Sequence, residues 1–303
     1  MIGTSRTTQI VRDVVAVVIT VLFIFPIFWW ALTSIKPNSA VFDKDRVVWF
    51  DFAPTLINYA VTLFGRSRSD IAIDAGLGMG VAGASAYDSR MSILESIIIT
   101  LGSTLITISV AVMAAYALSR MNFKGRNAYL GWVLGQRFMP PVAILVPLVM
   151  TYKAVGMRDT DNYWLGLIGL MLIYSLMNLP IALLLLKSFF DDISKDVDEA
   201  AMIDGATRWQ VFYKIALPLV RGGLAAAAVL TFIFSWTEFL LSLFLTTDIR
   251  TVPVKIQTFV TSTGNEWGFI AALGTAAAIP SFIFILLVQK HLVRGLTLGS
   301  LKE

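Results

Sequence analysis

No cysteine occurs in the 303 residues, so disulfides and thiolate metal sites are excluded. Histidine occurs once, as His291, and neither H-E-x-x-H nor G-x-S-x-G is present. An intramembrane protease or lipase therefore has no catalytic set here, and His291 is most simply a headgroup-level residue at the end of the last apolar stretch. The chain also lacks G-x-x-x-x-G-K-[ST], so it has no phosphate cradle of the P-loop kind. Charge is scarce as well: only 15% of residues are charged, with a formal excess of +4. An excess that small implies no nucleic-acid partner.

What is present is apolar. Hydrophobic residues make up 57% of the sequence and the mean hydropathy is +0.76, a composition that belongs in lipid. Stretches free of Asp, Glu, Lys and Arg run over Val14–Ile35, Ser96–Ser119, Asn162–Leu186 and Trp267–Gln289. Each is long enough to cross a hydrocarbon core of roughly 30 Å as a helix. Two further stretches carry one charge each, Arg137 within Asn127–Tyr152 and Glu238 within Gly222–Thr247. The expectation is an all-α membrane protein with six transmembrane helices.

Basic residues orient the spans. With the N-terminus inside, the inner face holds Arg6, Arg12, Arg120, Lys124, Arg126, the five basic residues from Lys187 to Arg221, and Lys290, Arg294 and Lys302. The short outer loops hold Lys153, Arg158, Arg250 and Lys255, while the long loop from Lys36 to Arg90 balances six basic against six acidic residues. Both termini are expected in the cytoplasm. The first span is too long for a signal-peptide core of about 7–15 residues, and Trp29-Trp30 is no cleavage site, so it reads as a retained helix kinked at Pro26. The division expected is 1–35 for the N-terminus and first helix, 36–91 for an outer loop, 92–290 for the membrane core with a cytoplasmic hairpin at 190–218, and 291–303 for a cytoplasmic tail.

The outer loop contains Gly78-Met79-Gly80-Val81-Ala82-Gly83, formally G-x-G-x-x-G, within the Gly/Ala/Ser-rich stretch 74–89. No strand precedes it and no βαβ unit surrounds it, so a dinucleotide site is rejected in favour of a glycine-rich loop. The inner excursion is different. Asp191, Asp192 and Asp196 precede Glu199-Ala200-Ala201, a run of good helix formers with acids where the helix dipole favours them. Gly205 can then turn the chain, and Trp209, Val211, Phe212 and Ile215 offer apolar surface up to Leu217-Pro218. Two short helices at an angle follow. The acidic density argues against a hairpin lying on anionic headgroups.

This segment, EAAMIDGATRWQVFYKIALP, resembles the "EAA---G---------I-LP" signature of permeases of ATP-binding-cassette (ABC) importers, matched at Glu199, Ala200, Ala201, Gly205, Ile215, Leu217 and Pro218. Further runs resemble the carbohydrate branch, in particular the second permease of maltose-type systems. These are Phe23–Pro26 with Ser34–Pro37, Pro54-Thr55 with Asn58-Tyr59, Ala115–Arg120 with Phe123–Gly125, Trp236–Leu240 with Thr237 where the family usually has Asn, and Thr251–Val254. The resemblance spans roughly Thr8 to Lys302. It implies the six-helix transmembrane fold of type I ABC importers and a location in the bacterial cytoplasmic membrane. It also implies that Glu199–Ala201, Asp204, Gly205, Ile215, Leu217 and Pro218 couple the chain to an ATPase. Partners implied are a paralogous permease, two ATPase subunits that hold ATP and Mg, and an extracytoplasmic solute-binding protein, with membrane lipid around them. No cofactor or metal is expected in this chain, which is then no enzyme itself. An ion-coupled secondary transporter, a channel and a scaffold remain as alternatives.

Polar residues inside the spans mark a candidate route. A charge at the depth of Arg137 costs roughly 2.5–3.5 kcal/mol on insertion scales, so a cavity or a partner should face it. Arg137 either meets a hydroxylated or anionic solute or is structural, bonded to carbonyls freed by Pro140-Pro141 or paired with Glu238. Trp236, Glu238, Tyr174 and Asn178 are the aromatic and hydrogen-bonding groups that sugar sites combine, though packing by Trp236 and an interhelical bond by Glu238 explain them equally. Gly131 and Gly135 form a G-x-x-x-G read as close helix packing.

Overall fold

The structure is a computed structural model that describes residues 6–41, 43, 49–66, 87–158, 162–261 and 264–299. The glycine run Gly78–Gly83 and Lys302 lie outside the described residues, as do the side chains of Arg6, His291 and Arg294. Helices dominate, and the described strands are the two-residue pair β1 (Val260–Thr261) and β2 (Gly264–Asn265), antiparallel with Val260 opposite Asn265. The chain forms two compact units, residues 1–91 with 256–278, and residues 92–255 with 279–303.

The first unit holds α1 (Arg6–Ser34), the short α2 (Asn38–Val41), α3 (Ile57–Phe64) and the first part of α14 (Trp267–Gly299). The hydrophobic window of α1 is wholly unburied within the chain, as a helix facing lipid or another subunit must be. Its C-terminal end is fixed: the Asn58 amide donates to the carbonyls of Ser34 (2.9 Å) and Lys36 (3.0 Å), and the Tyr59 and Ser34 hydroxyls lie 2.7 Å apart. Gly268 of α14 lies so close to Asn58 that a Cβ would come within 2.7 Å of its Oδ1. Lys36 caps the Trp29 ring at 4.2 Å, and burial draws its ammonium below the ordinary lysine range.

The second unit holds α4 (Arg90–Arg120) from Ser92 onward, α5 (Arg126–Arg137), α6 (Pro141–Ala154), α7 (Tyr163–Asp191), α8 (Lys195–Ile203) and α9 (Arg208–Val211). It continues through a π-helical turn (Phe212–Ala216), α10 (Leu217–Leu219), α11 (Arg221–Trp236), α12 (Leu240–Leu245) and α13 (Val252–Gln257), with the end of α14. Without a hydrophobic drive between helices in lipid, close packing and small polar residues hold the bundle. Gly223 of α11 shows the first: a Cβ there would meet the Phe189 ring of α7 at 2.5 Å. The second is a hydroxyl network. Ser103 Oγ (α4) donates to Ser235 Oγ (α11) at 3.0 Å, Asn178 Nδ2 (α7) donates to the same oxygen at 3.1 Å, and Ser175 Oγ donates to the Ser103 carbonyl at 3.1 Å.

Among the described residues four helices are long and apolar enough to span a membrane, or six if each of two bent pairs is one span. The third stretch breaks where the proline pair was expected to break it, whereas the fifth, expected as one span, is interrupted as well. Helices α5 and α6 meet at 92°, because Pro141 starts α6 and forces Pro140 into an extended conformation at φ −63°, ψ 129°. The fifth helix ends at Trp236, and residues 237–239 separate it from α12. There the Thr237 hydroxyl donates back to the Ile233 carbonyl (2.9 Å) and the Glu238 carboxylate accepts from the Leu241 amide (2.9 Å), so local side-chain bonds replace the helical ladder. The turn at Val220, where α11 follows α10, bends a second pair by 74°.

Candidate coupling hairpin and pathway cavity

The run from Ser194 to Pro218 forms the hairpin of two short helices. Ser194 Oγ accepts from the Asp196 amide to open α8, and Asp196 and Asp198 lie in its first turn. Gly205 closes it at φ +89°. Its amide donates to the Met202 carbonyl (3.1 Å) and the next amide, of Ala206, donates to the Ala201 carbonyl (3.0 Å), a Schellman ending with glycine at the left-handed position. Two residues later Thr207 and Gln210 form a reciprocal capping box, 3.3 and 2.8 Å, that starts α9.

One face of this hairpin is fixed. Arg120, the last residue of α4, makes a 2.7 Å ion pair with Asp198, and the two side chains are 7% and 8% exposed. The same guanidinium donates to the Ile193 carbonyl at 3.1 Å and to Ser119 Oγ at 3.3 Å. Ser119 in turn donates to Asp191 (2.6 Å), which also pairs with Lys187. Phe212 and Ala216 are buried in one cluster with Tyr116, Leu186 and Phe190, and Val211 is buried beside them in sequence. The other face is bare. Glu199, Ala200, Asp204, Gly205 and Pro218 are exposed, with Ala201, Ile215 and Leu217 half-buried. Ile203 is 86% and Trp209 66% exposed. The apolar surface expected from Trp209, Val211, Phe212 and Ile215 is therefore corrected: Val211 and Phe212 point into the bundle, and Ile203 and Tyr213 join Trp209 outside.

A second assembly lies among α5, α6, α7, α11 and α12. A cavity of about 210 Å³ is lined by Arg137, Tyr174, Asn178, Phe234, Thr237 and Glu238, with apolar neighbours. Arg137 ends α5 at the bend, Tyr174 and Asn178 share one face of α7 four residues apart, and Glu238 sits in the break after α11. Four of the five route candidates thus meet in one place. Trp236 does not: it is 8% exposed, stacks on Phe232 at 5.8 Å, and Phe232 stacks on Phe284 at 4.0 Å, so it packs. No Arg137–Glu238 ion pair forms among the described residues; Arg137 rests against the Phe234 ring at 5.2 Å. Among the described residues the G-x-x-x-G of α5 makes no close contact either, since a Cβ at Gly131 or Gly135 would meet open space.

Sequence reasoning took Arg120 only as an inner-face cation and the end of the Ala115–Arg120 run, and gave Asp198, next to Glu199, no role. It also missed Glu95, 5% exposed, which accepts from the Tyr163 hydroxyl (2.9 Å) and the Arg250 amide (3.0 Å). Ser96 Oγ beside it accepts from the Val252 amide at 2.7 Å. Together they hold the segment before α13 on α4.

With this geometry in view, comparison with known proteins is decisive. Residues 107–298 match the family described as "Binding-protein-dependent transport system inner membrane component". The sulfoquinovosyl glycerol transport system permease protein SmoH of Agrobacterium fabrum is 34% identical over 293 residues, 96% of this chain and 93% of that protein. The trehalose/maltose transport system permease protein MalG of Thermococcus litoralis is 34% identical over 290 residues, 95% and 94% of the two chains. A chain from the crystal structure of a bacterial ABC transporter involved in the import of alginate shares the fold at a TM-score of 0.67 and 19% identity, covering 96% of this chain and 99% of its own. The chain belongs to the family of binding-protein-dependent transport system inner membrane components. It is a membrane-embedded permease subunit of an ABC importer.

Proposed function

We propose that this permease serves an importer of a carbohydrate or carbohydrate derivative and furnishes one half of its pathway. A paralogous second permease supplies the other half, and an extracytoplasmic binding protein delivers the solute. Two ATPase subunits hold ATP and its magnesium, for which this chain has no P-loop. Both termini and the 194–218 hairpin face the cytoplasm. The carbohydrate class draws support from relatives named for sulfoquinovosyl glycerol and for trehalose/maltose. The half-pathway draws support from the cavity, whose 210 Å³ falls short of the roughly 300–1,000 Å³ of complete ligand pockets.

The observation that carries the coupling role is the two-sidedness of α8. Asp198 is held inside by Arg120, while Glu199, Met202 and Ile203 face outward. An element bare on one side and bonded to α4 on the other can dock on a partner and pass its displacement into the membrane helices. Closure of the ATPases on ATP then moves the hairpin, α4 follows through Arg120, and access to the cavity alternates.

Uptake by proteoliposomes containing the complete transporter tests the reading. Saccharide uptake driven by internal ATP, blocked by vanadate and unaffected by collapse of proton and sodium gradients, is the expected result. Uptake that stops with the gradients and ignores vanadate would return the chain to ion-coupled transport.

A further inference from the structure

The polar cavity holds one cation and one anion that do not pair with each other. Its ionisable lining consists of Arg137, Glu238 and the Tyr174 phenol. Glu238 is engaged: its Oε1 accepts from the Leu241 amide at 2.9 Å, where the first turn of α12 presents its free N–H groups. Arg137 is not engaged in that way. Among the described residues no carboxylate lies within ion-pair distance of it, and its one polar-type contact is the face of Phe234 at 5.2 Å. A guanidinium offers five N–H donors in a planar fork that matches a carboxylate, sulfonate or phosphate bidentately. Across the cavity, Asn178 spends its Nδ2 on Ser235 (3.1 Å) and keeps its carbonyl oxygen for a hydroxyl donor.

Two features show why Arg137 stands there. It is the last residue of α5, and the 92° bend enforced by Pro140-Pro141 stops the helix at that point instead of carrying its end onward. The Phe234 ring then supports the flat guanidinium from α11 without using its hydrogen bonds. The fork is positioned, and its donors stay open.

We infer that this cavity takes an anionic carbohydrate, with the acidic group of the solute on Arg137 and a sugar hydroxyl on Asn178. The inference rests on the proposed reading of the chain as a carbohydrate permease and narrows it to acidic solutes. A neutral sugar would leave the guanidinium without a counter-ion at hydrogen-bonding distance, whereas an acid group meets its charge and its paired donors at once. Arg137 is here a specificity-determining residue.

The test uses the complete transporter, with its second permease, ATPases and binding protein, in proteoliposomes. Labelled glucuronate, a sulfonated hexose and a hexose phosphate are compared with glucose, trehalose and glycerol. One of the acidic probes is expected to be taken up in preference to every neutral one. Arg137→Met should lower that uptake by about tenfold or more, the scale of one lost charge-assisted bidentate contact, while binding-protein-stimulated ATP hydrolysis persists. Arg137→Lys, which keeps the charge and loses the fork, should fall between. Uptake of neutral saccharides alone overturns this inference and leaves the carbohydrate reading standing. Uptake of no saccharide overturns both. Unchanged uptake in Arg137→Met, or loss of the second permease on purification of both Arg137→Met and Arg137→Gln, assigns the arginine to assembly and overturns the inference as well.

Discussion

Asp198 and Glu199 are neighbours in sequence and opposite in circumstance: one is locked into the bundle by Arg120, the other is exposed. A carboxylate as buried as Asp198 is tolerable only while paired, and removing one partner of such a pair costs about 3–5 kcal/mol because the other charge is stranded. Asp198→Asn should therefore destabilise the hairpin's attachment, read as a lower melting temperature of the purified chain and loss of ATPase co-purification. Replacing both partners, as Arg120→Met with Asp198→Leu, removes the stranded charge and should restore the melting temperature. If Asp198→Asn alone melts like the parent chain, the pair is not what holds α8. By contrast, Glu199→Ala should leave the melting temperature unchanged and weaken only the ATPase attachment. None of this division was legible in the run of acids from Asp191 to Glu199. Which acid turns inward depends on where α4 ends, and that is a tertiary fact.

At the scale of elements, punctuation residues were legible and continuity was not. Gly205 and Pro140-Pro141 each act as their chemistry requires, by taking a positive φ and by breaking a helix. The fifth span nevertheless read as a single stretch, because hydropathy sums composition and ignores the break at 237–239, and the proline pair announced the break in the third without its 92° angle. The break at Glu238 had no proline to announce it. Gly205 allows the sharpest test among the elements. Space around it is open, so only its φ of +89° opposes a side chain. Gly205→Val should uncouple or detach the ATPase, since a β-branched residue takes that conformation at a cost of order 1–3 kcal/mol. Gly205→Asn, which tolerates a positive φ, should keep both attachment and uptake. Equal behaviour of the Val and Asn variants would show that the turn's handedness is irrelevant to coupling.

At the scale of the molecule, several surfaces are left uncovered. The hydrophobic window of α1 is unburied, a Cβ at Gly131 or Gly135 of α5 would meet nothing among the described residues, the cavity is small, and the hairpin offers Ile203 and Trp209 to the outside. Class and membrane character were legible from composition, since 57% hydrophobic residues leave few alternatives. The gathering of Arg137, Tyr174, Asn178 and Glu238 was legible only as a set of residue types. Their meeting depends on α5 bending and α11 ending where they do.

The central claim is that α8 and its turn seat on an ATP-hydrolysing subunit. The absence of cysteine makes it directly measurable, because Ile203→Cys introduces the single thiol of the chain at a position 86% exposed. That thiol, carrying a photoreactive maleimide in the assembled and transporting complex, is predicted to cross-link to the ATPase subunit. An active complex in which position 203 cross-links only to lipid or to the other permease would contradict the account.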